Sequence, residues 1–130
     1  MTATPATEYV ERARELGPDL EAAAEEIERR RELPEPIVEA LVDRGLFRLL
    51  LPRALGGAEL PPAAYVQVIE EVAKHDASVA WCLGQANGCT MTAASLDPEV
   101  AREIFGVRAA SSPGVRPARP RLARSRAATG

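Results

Sequence analysis

Apolar residues recur at helical spacing through most of the chain. Between residues 6 and 32, Leu20, Ala23, Ala24 and Ile27 fall three, four and seven apart, the period of one buried helix face. Gly17-Pro18 lies inside this stretch. Proline suits an opening turn and is costly further in, so the pattern predicts one helix ending and a second beginning there. Leu33-Pro34 marks the next break, and Ile37, Val38, Leu41 and Val42 give a short amphipathic helix that Gly45 can close in a left-handed cap. The run Leu46-Phe47-Arg48-Leu49-Leu50-Leu51-Pro52 is continuously apolar apart from Arg48, and reads as a buried extended passage before a turn at Gly56-Gly57. Pro61-Pro62 opens a further helix, with Tyr65, Val68, Ile69, Val72 and Ala73 inward and Gln67, Glu70, Glu71 and Lys74 outward, ending near His75-Asp76.

Residues 78–95 carry no charge, and small or apolar side chains occur all round the helix they predict. Such a helix is expected to be central and enclosed. Asp97-Pro98-Glu99 then supplies an N-cap, a first-turn proline and a first-turn acid for a helix through Val100, Ile104 and Phe105. Residues 107–130 have no acid, repeated Arg, Pro, Ala and Ser, and no apolar period, so they are expected to form a disordered basic tail without a packed core.

Composition supports an all-α fold. Aromatic residues make up only 4% of the 130 residues, while Ala, Leu, Glu and Arg abound, a mixture that favours helix over strand. All nineteen acids precede Val107, against ten of the sixteen bases. The body is therefore −9 and the tail +6, which recovers the overall −3. An acidic body argues against nucleic-acid binding, and the six tail arginines have no aromatic residues among them to stack on bases. No apolar run approaches the roughly 20 residues needed to span a bilayer, and no leader pattern opens the chain, so a cytoplasmic protein is expected. Cys82 and Cys89 lie about two helical turns apart, too far for a disulfide. One histidine and no Cys-x-x-Cys pair leave a zinc site without a ligand set.

Several strings now stand in order: Leu33-Pro34, Gly45-Leu46-Phe47-Arg48, Leu51-Pro52, Gly56-Gly57, Glu70-Glu71-Val72-Ala73 and Asp76-Ala77-Ser78-Val79-Ala80-Trp81. Across residues 8–106 this series resembles the N-terminal helical domain of acyl-CoA dehydrogenases and their flavin-dependent monooxygenase relatives. The resemblance implies a homo-oligomeric, FAD-dependent oxidoreductase acting on the CH–CH group of an acyl-CoA or related small molecule. It also implies that FAD and the catalytic glutamate belong to a middle β domain and a C-terminal helical domain. No residue of this sequence inherits the catalytic role. The expected organisation is a helical domain over residues 1–106 and a tail over 107–130 of the kind a truncation or frameshift produces, with little catalysis from the chain alone. A non-enzymatic helical interaction module is the alternative.

By the same resemblance, residues 78–95 form one wall of the substrate slot. Cys82, Leu83, Ala86, Asn87 and Thr90 share a helical stripe, read either as that pocket wall or as a close-packing surface. Asn87 and Gln85 need hydrogen-bond partners, from backbone, other domains or a substrate. Thr90 and Ser95 are expected to bond back to helix carbonyls. In the monooxygenase branch a histidine follows the tryptophan position by about eight residues, and here that count reaches Cys89, a departure from the pattern. Cys89 has no neighbouring charge to make it a nucleophile. Trp81 reads as a core aromatic, with stacking on a flavin as the alternative, and His75 as a surface cap at a helix end.

Overall fold

The computed structural model describes residues 5–106, and the expected basic tail lies outside them. Five α-helices follow in order: α1 (Pro5–Arg30), α2 (Glu35–Asp43), α3 (Pro62–His75), α4 (Ala77–Thr90) and α5 (Pro98–Phe105). Short 3-10 turns span Arg53–Leu55 and Met91–Ser95. No strand occurs among the described residues, in keeping with the all-α reading.

The long α1 supplies Ala13, Leu16, Leu20 and Ile27 to the main core, where they meet Ile37 and Leu41 of α2, Val68 and Val72 of α3, and Val79 and Leu83 of α4. Burying an aliphatic side chain of this size is worth roughly 1.5–3 kcal/mol, so this shared interior is what holds the helices together. A smaller cluster of Leu51, Leu55, Ala93 and Ala101, with Phe105 against it, fastens α5 to the two 3-10 turns.

Two helix ends follow their sequence signals closely. Gly45, at φ 71°, closes α2 in the left-handed conformation. Its N–H donates to the Val42 carbonyl at 2.9 Å and that of Leu46 to the Leu41 carbonyl at 3.1 Å, the paired bonds of a Schellman end, with both leucines buried beneath it. Asp97 caps α5 by accepting from the Glu99 N–H at 2.9 Å.

The expected break at Gly17-Pro18 does not occur: α1 runs through it with Pro18 inside. Pro18 and Arg14 are both exposed, so the carbonyl that loses its partner lies on the solvent side of α1 rather than in the core. Gly17 serves packing, since a Cβ there would fall 2.5 Å from the His75 ring. That contact also corrects the reading of His75. Its side chain is only 19% exposed, with Nδ1 3.1 Å from Glu21 and Nε2 3.5 Å from Glu71, so it joins α1 to α3 and is no surface cap.

Tyr65, Val68, Ile69 and Val72 of α3 face inward as expected, and two positions differ. Ala73 is exposed, and Glu71, expected outward, is only 5% exposed. Burial of Glu71 is compensated by Arg14 of α1 and Lys74, each 3.2 Å from a carboxylate oxygen. Burial alone would raise the carboxyl's pKa, but Lys74 and Arg14 outweigh it, and Glu71 titrates below the usual 4.5. A depressed carboxyl gives stability that is complete above its unfolded pKa and lost as pH falls through the folded value. Urea denaturation between about pH 6 and about pH 3 is therefore expected to show a falling midpoint, and Glu71→Gln should remove part of that slope.

Between α2 and α3 the chain goes out and returns along itself. Arg48, Leu49 and Leu51 accept through their carbonyls from Ala58 N at 2.8 Å, Leu60 N at 2.8 Å and Glu59 N at 3.1 Å. Leu46, Leu49, Leu51 and Leu60 are buried, as expected of the apolar run. Arg48 is half-buried, and its Nη2 donates to the carbonyls of Leu55 at 2.8 Å and Phe105 at 3.0 Å. It ties the turn to the end of α5, and burial lowers the guanidinium's pKa.

Candidate functional site: the outward face of α4

Asp76 ends α3 and starts α4, accepting from the Val79 N–H at 2.9 Å. The helix then runs without a charged residue to Thr90 and tightens into the 3-10 turn Met91–Ser95, where the sequence pattern predicts one helix to Ser95. Thr90 Oγ1 donates to the Asn87 carbonyl at 2.7 Å, as expected, and Thr92 Oγ1 does the same to Cys89.

The inward face of α4 is committed to the core. Val79, Ala80, Leu83 and Asn87 are buried, all but Ala80 completely. Asn87 Nδ2 donates to the carbonyls of Leu46 at 2.8 Å and Leu83 at 2.9 Å, while its Oδ1 accepts from Leu49 N at 2.9 Å. Of the partners open to this amide, backbone groups are the ones it has. The stripe Cys82, Leu83, Ala86, Asn87 and Thr90 thus turns toward the chain's own interior, with Cys82, Ala86 and Thr90 half-buried at its margin. Burial, then the charge of Asp76, pushes the Cys82 thiol up from its usual range, away from the reactive thiolate.

The other face of α4 is open. Trp81 is 71% exposed, which corrects its reading as a core aromatic, and Gln85, Gly88 and Cys89 are exposed beside it. Enclosure of α4 therefore holds on one side only within the described residues. Ile69 of α3 and Ala77, Ala80, Trp81, Gly84 and Gln85 of α4 line a shallow groove of about 350 Å³. At its back, Tyr65 Oη donates to the Gly84 carbonyl at 3.5 Å, and burial raises the phenol's pKa. None of the five stripe residues lines this groove.

Close helix packing does not account for the glycines of α4. A Cβ at Gly84 would meet only Tyr65 Oη, at an ordinary 3.7 Å, and one at Gly88 would meet nothing within 4 Å. Two glycines four apart inside a helix are a legible signal, because each costs roughly 1 kcal/mol relative to alanine. The packing of the described residues does not call for either.

The architecture and this uncharged helix coincide with one known family. Residues 7–98 match the acyl-CoA dehydrogenase N-terminal domain, and the chain belongs to that family. It is 31% identical over 81 residues to an indole-3-acetate monooxygenase of Pseudomonas putida, covering 62% of this chain and 21% of that protein. It is 33% identical over 73 residues to a 3-(aryl)acrylate reductase of Clostridium sporogenes, covering 52% and 19%. A flavin-dependent monooxygenase oxygenase subunit of Rhodococcus jostii is 33% identical over 66 residues, covering 51% and 17%. The chain spans about a fifth of the length of these curated relatives.

Flavin is the cofactor the family implies, and the described residues fit it poorly. A pyrophosphate seeks free N–H groups at a helix N-terminus or a cationic cradle. Here α2 and α3 open on prolines, and α4 and α5 on the carboxylates of Asp76 and Asp97. The outward face of α4 adds no charge of either sign. Among the described residues no helix is long and apolar enough to cross a membrane, and no group of three metal-ligating side chains assembles.

Proposed function

We propose that this chain is the substrate-side helical domain of an FAD-dependent oxidoreductase and that the α3–α4 groove is one wall of its substrate pocket. The observation that carries this reading is the open α4 face, where an exposed tryptophan and two unpacked glycines lie on a helix without charge. An apolar wall of this kind excludes water and orients a substrate, while flavin and the catalytic base come from other domains. The wall lies on a different face of α4 from the stripe that spacing alone singled out, none of whose five residues lines the groove. The complete protein is a cytoplasmic homo-oligomer that oxidises or reduces the CH–CH group of an acyl-CoA or related small molecule. The chain by itself holds no flavin and is inactive.

A second reading, oxygenation of an aromatic substrate, is favoured by the two relatives named as monooxygenases. Cys89, at the position where that branch carries histidine, weighs against a base from this helix. Fluorescence titration of the purified chain with FAD is expected to show no saturable one-to-one binding. Joining residues 1–106 to the remaining domains of the Clostridium reductase should restore flavin binding. In that chimera Trp81→Ala should raise KM by about tenfold, the loss of one aromatic contact of roughly 1.4 kcal/mol. A flavin-loaded chimera whose kinetics ignore Trp81→Ala and Gly88→Leu alike would exclude the groove as a substrate wall, and oxygen uptake separates oxygenation from dehydrogenation.

A further inference from the structure

We propose that α5 is a strap that opens as one unit about Leu96 and Asp97 while α1–α4 stay folded, and that Arg48 is the latch holding it shut. What fastens α5 is separate from what fastens the other helices. None of its residues joins the main core, and Ala101 and Phe105 rest instead on Leu51, Leu55 and Ala93. Two of the four buried members of that cluster are alanines, which have little apolar area to bury. On the outer side of the helix Val100 and Ile104 stay 42% and 61% exposed, so closure gains little from them. The covalent link is also loosely held. Leu96 and Asp97 leave helical geometry at ψ 159° and 134°, and the Leu96 N–H reaches the Ala93 carbonyl only at 3.4 Å.

One side-chain nitrogen stands against this weak cohesion. Arg48 Nη2 donates to the Leu55 carbonyl on the turn and to the Phe105 carbonyl at the end of α5, joining body and strap. The cation also suits the negative end of the helix dipole. Desolvation works the other way. Arg48 Nε is buried without a hydrogen-bond partner among the described residues, and no carboxylate among them offsets the lowering of the guanidinium's pKa by burial. When the two carbonyl bonds part, water restores the hydration that closure removes, so the latch releases readily. A helix of eight residues is marginal alone, so release and unfolding of α5 are a single step. Opening bares Leu51, Leu55 and Phe105 and takes its brace from the Met91–Ser95 turn that continues α4.

Amide hydrogen exchange on the full chain, labelled with nitrogen-15, tests this. The amides from Ala101 to Gly106 are expected to exchange at least about a hundredfold faster than those of Val72 and Leu83, and to share one degree of protection. Arg48→Met keeps an unbranched side chain without its donors. It should speed the α5 amides together by about tenfold and leave Val72 and Leu83 unchanged. Arg48→Lys, able to reach one carbonyl, should fall between. Exchange of the α5 amides at the rate of Val72 and Leu83 in the unaltered chain would mean that α5 unfolds only with the whole domain, and would overturn the strap. Protection that fades residue by residue toward Gly106 and ignores Arg48→Met is end fraying, and would overturn it as well. If Arg48→Met quickens every amide alike, Arg48 supports the core and is no latch.

Discussion

Asn87→Leu is expected to destabilise the domain by about 3 kcal/mol, read as a fall in the urea midpoint of helical circular dichroism. Leucine keeps asparagine's branching and heavy-atom count but has bulkier methyls, so a polar loss and a steric one both enter. The Leu49 N–H and the Leu46 carbonyl, both on residues wholly buried, lose the side chain that satisfies them. Each such orphaned group costs roughly 1–3 kcal/mol. Asn87→Asp separates this from a volume effect. It keeps the acceptor for Leu49 and sets an oxygen against the carbonyls of Leu46 and Leu83. A carboxyl buried there has its pKa raised, so this variant should be most stable in acid and weaken as pH rises. A wild-type midpoint for Asn87→Leu would show that the 46–51 passage does not depend on its tie to α4.

Gly57→Ala should cost about as much, roughly 3 kcal/mol, for a steric reason. A Cβ at that position would sit 1.9 Å from the Leu51 carbonyl oxygen and 2.4 Å from its carbon. The obstacle is backbone, so the returning chain must part from the outgoing one, straining the bonds from Ala58 to Arg48 and Glu59 to Leu51. Gly88→Ala is the informative contrast. With nothing within 4 Å of the new methyl, it should stabilise α4 by about 1 kcal/mol. If both substitutions lowered the thermal midpoint equally, the distinction between a glycine needed by the fold and one left open on its surface would fail.

Much of the local structure was legible in the residues. Gly45 as a left-handed cap, Asp97 before Pro98, Pro61-Pro62 before α3 and the turn at Gly56-Gly57 each rest on backbone preferences that act within a few positions. The ordered strings likewise sufficed for the family. Gly17-Pro18 was misleading because proline's local penalty is small beside the long face that α1 buries against α3, and because the lost bond faces water. Glu71 was misleading too, since a helical pattern assigns charge to the outside and cannot see that Arg14, fifty-seven positions earlier, supplies a partner.

The candidate site divides along the same line. That residues 78–95 form an uncharged helical segment was legible in the sequence, and so was the return of the Thr90 hydroxyl to a helix carbonyl. Which of its faces is open was not, because small and apolar side chains lie all round and leave the hydrophobic pattern without a direction. Only the packing of α3 and the Leu46–Leu51 passage against Leu83 and Asn87 turned that stripe inward and left Trp81, Gly84 and Gly88 outside. Chain-local energies set which residues are helical, whereas the orientation of a helix with no polar face is set by the neighbours that bury it.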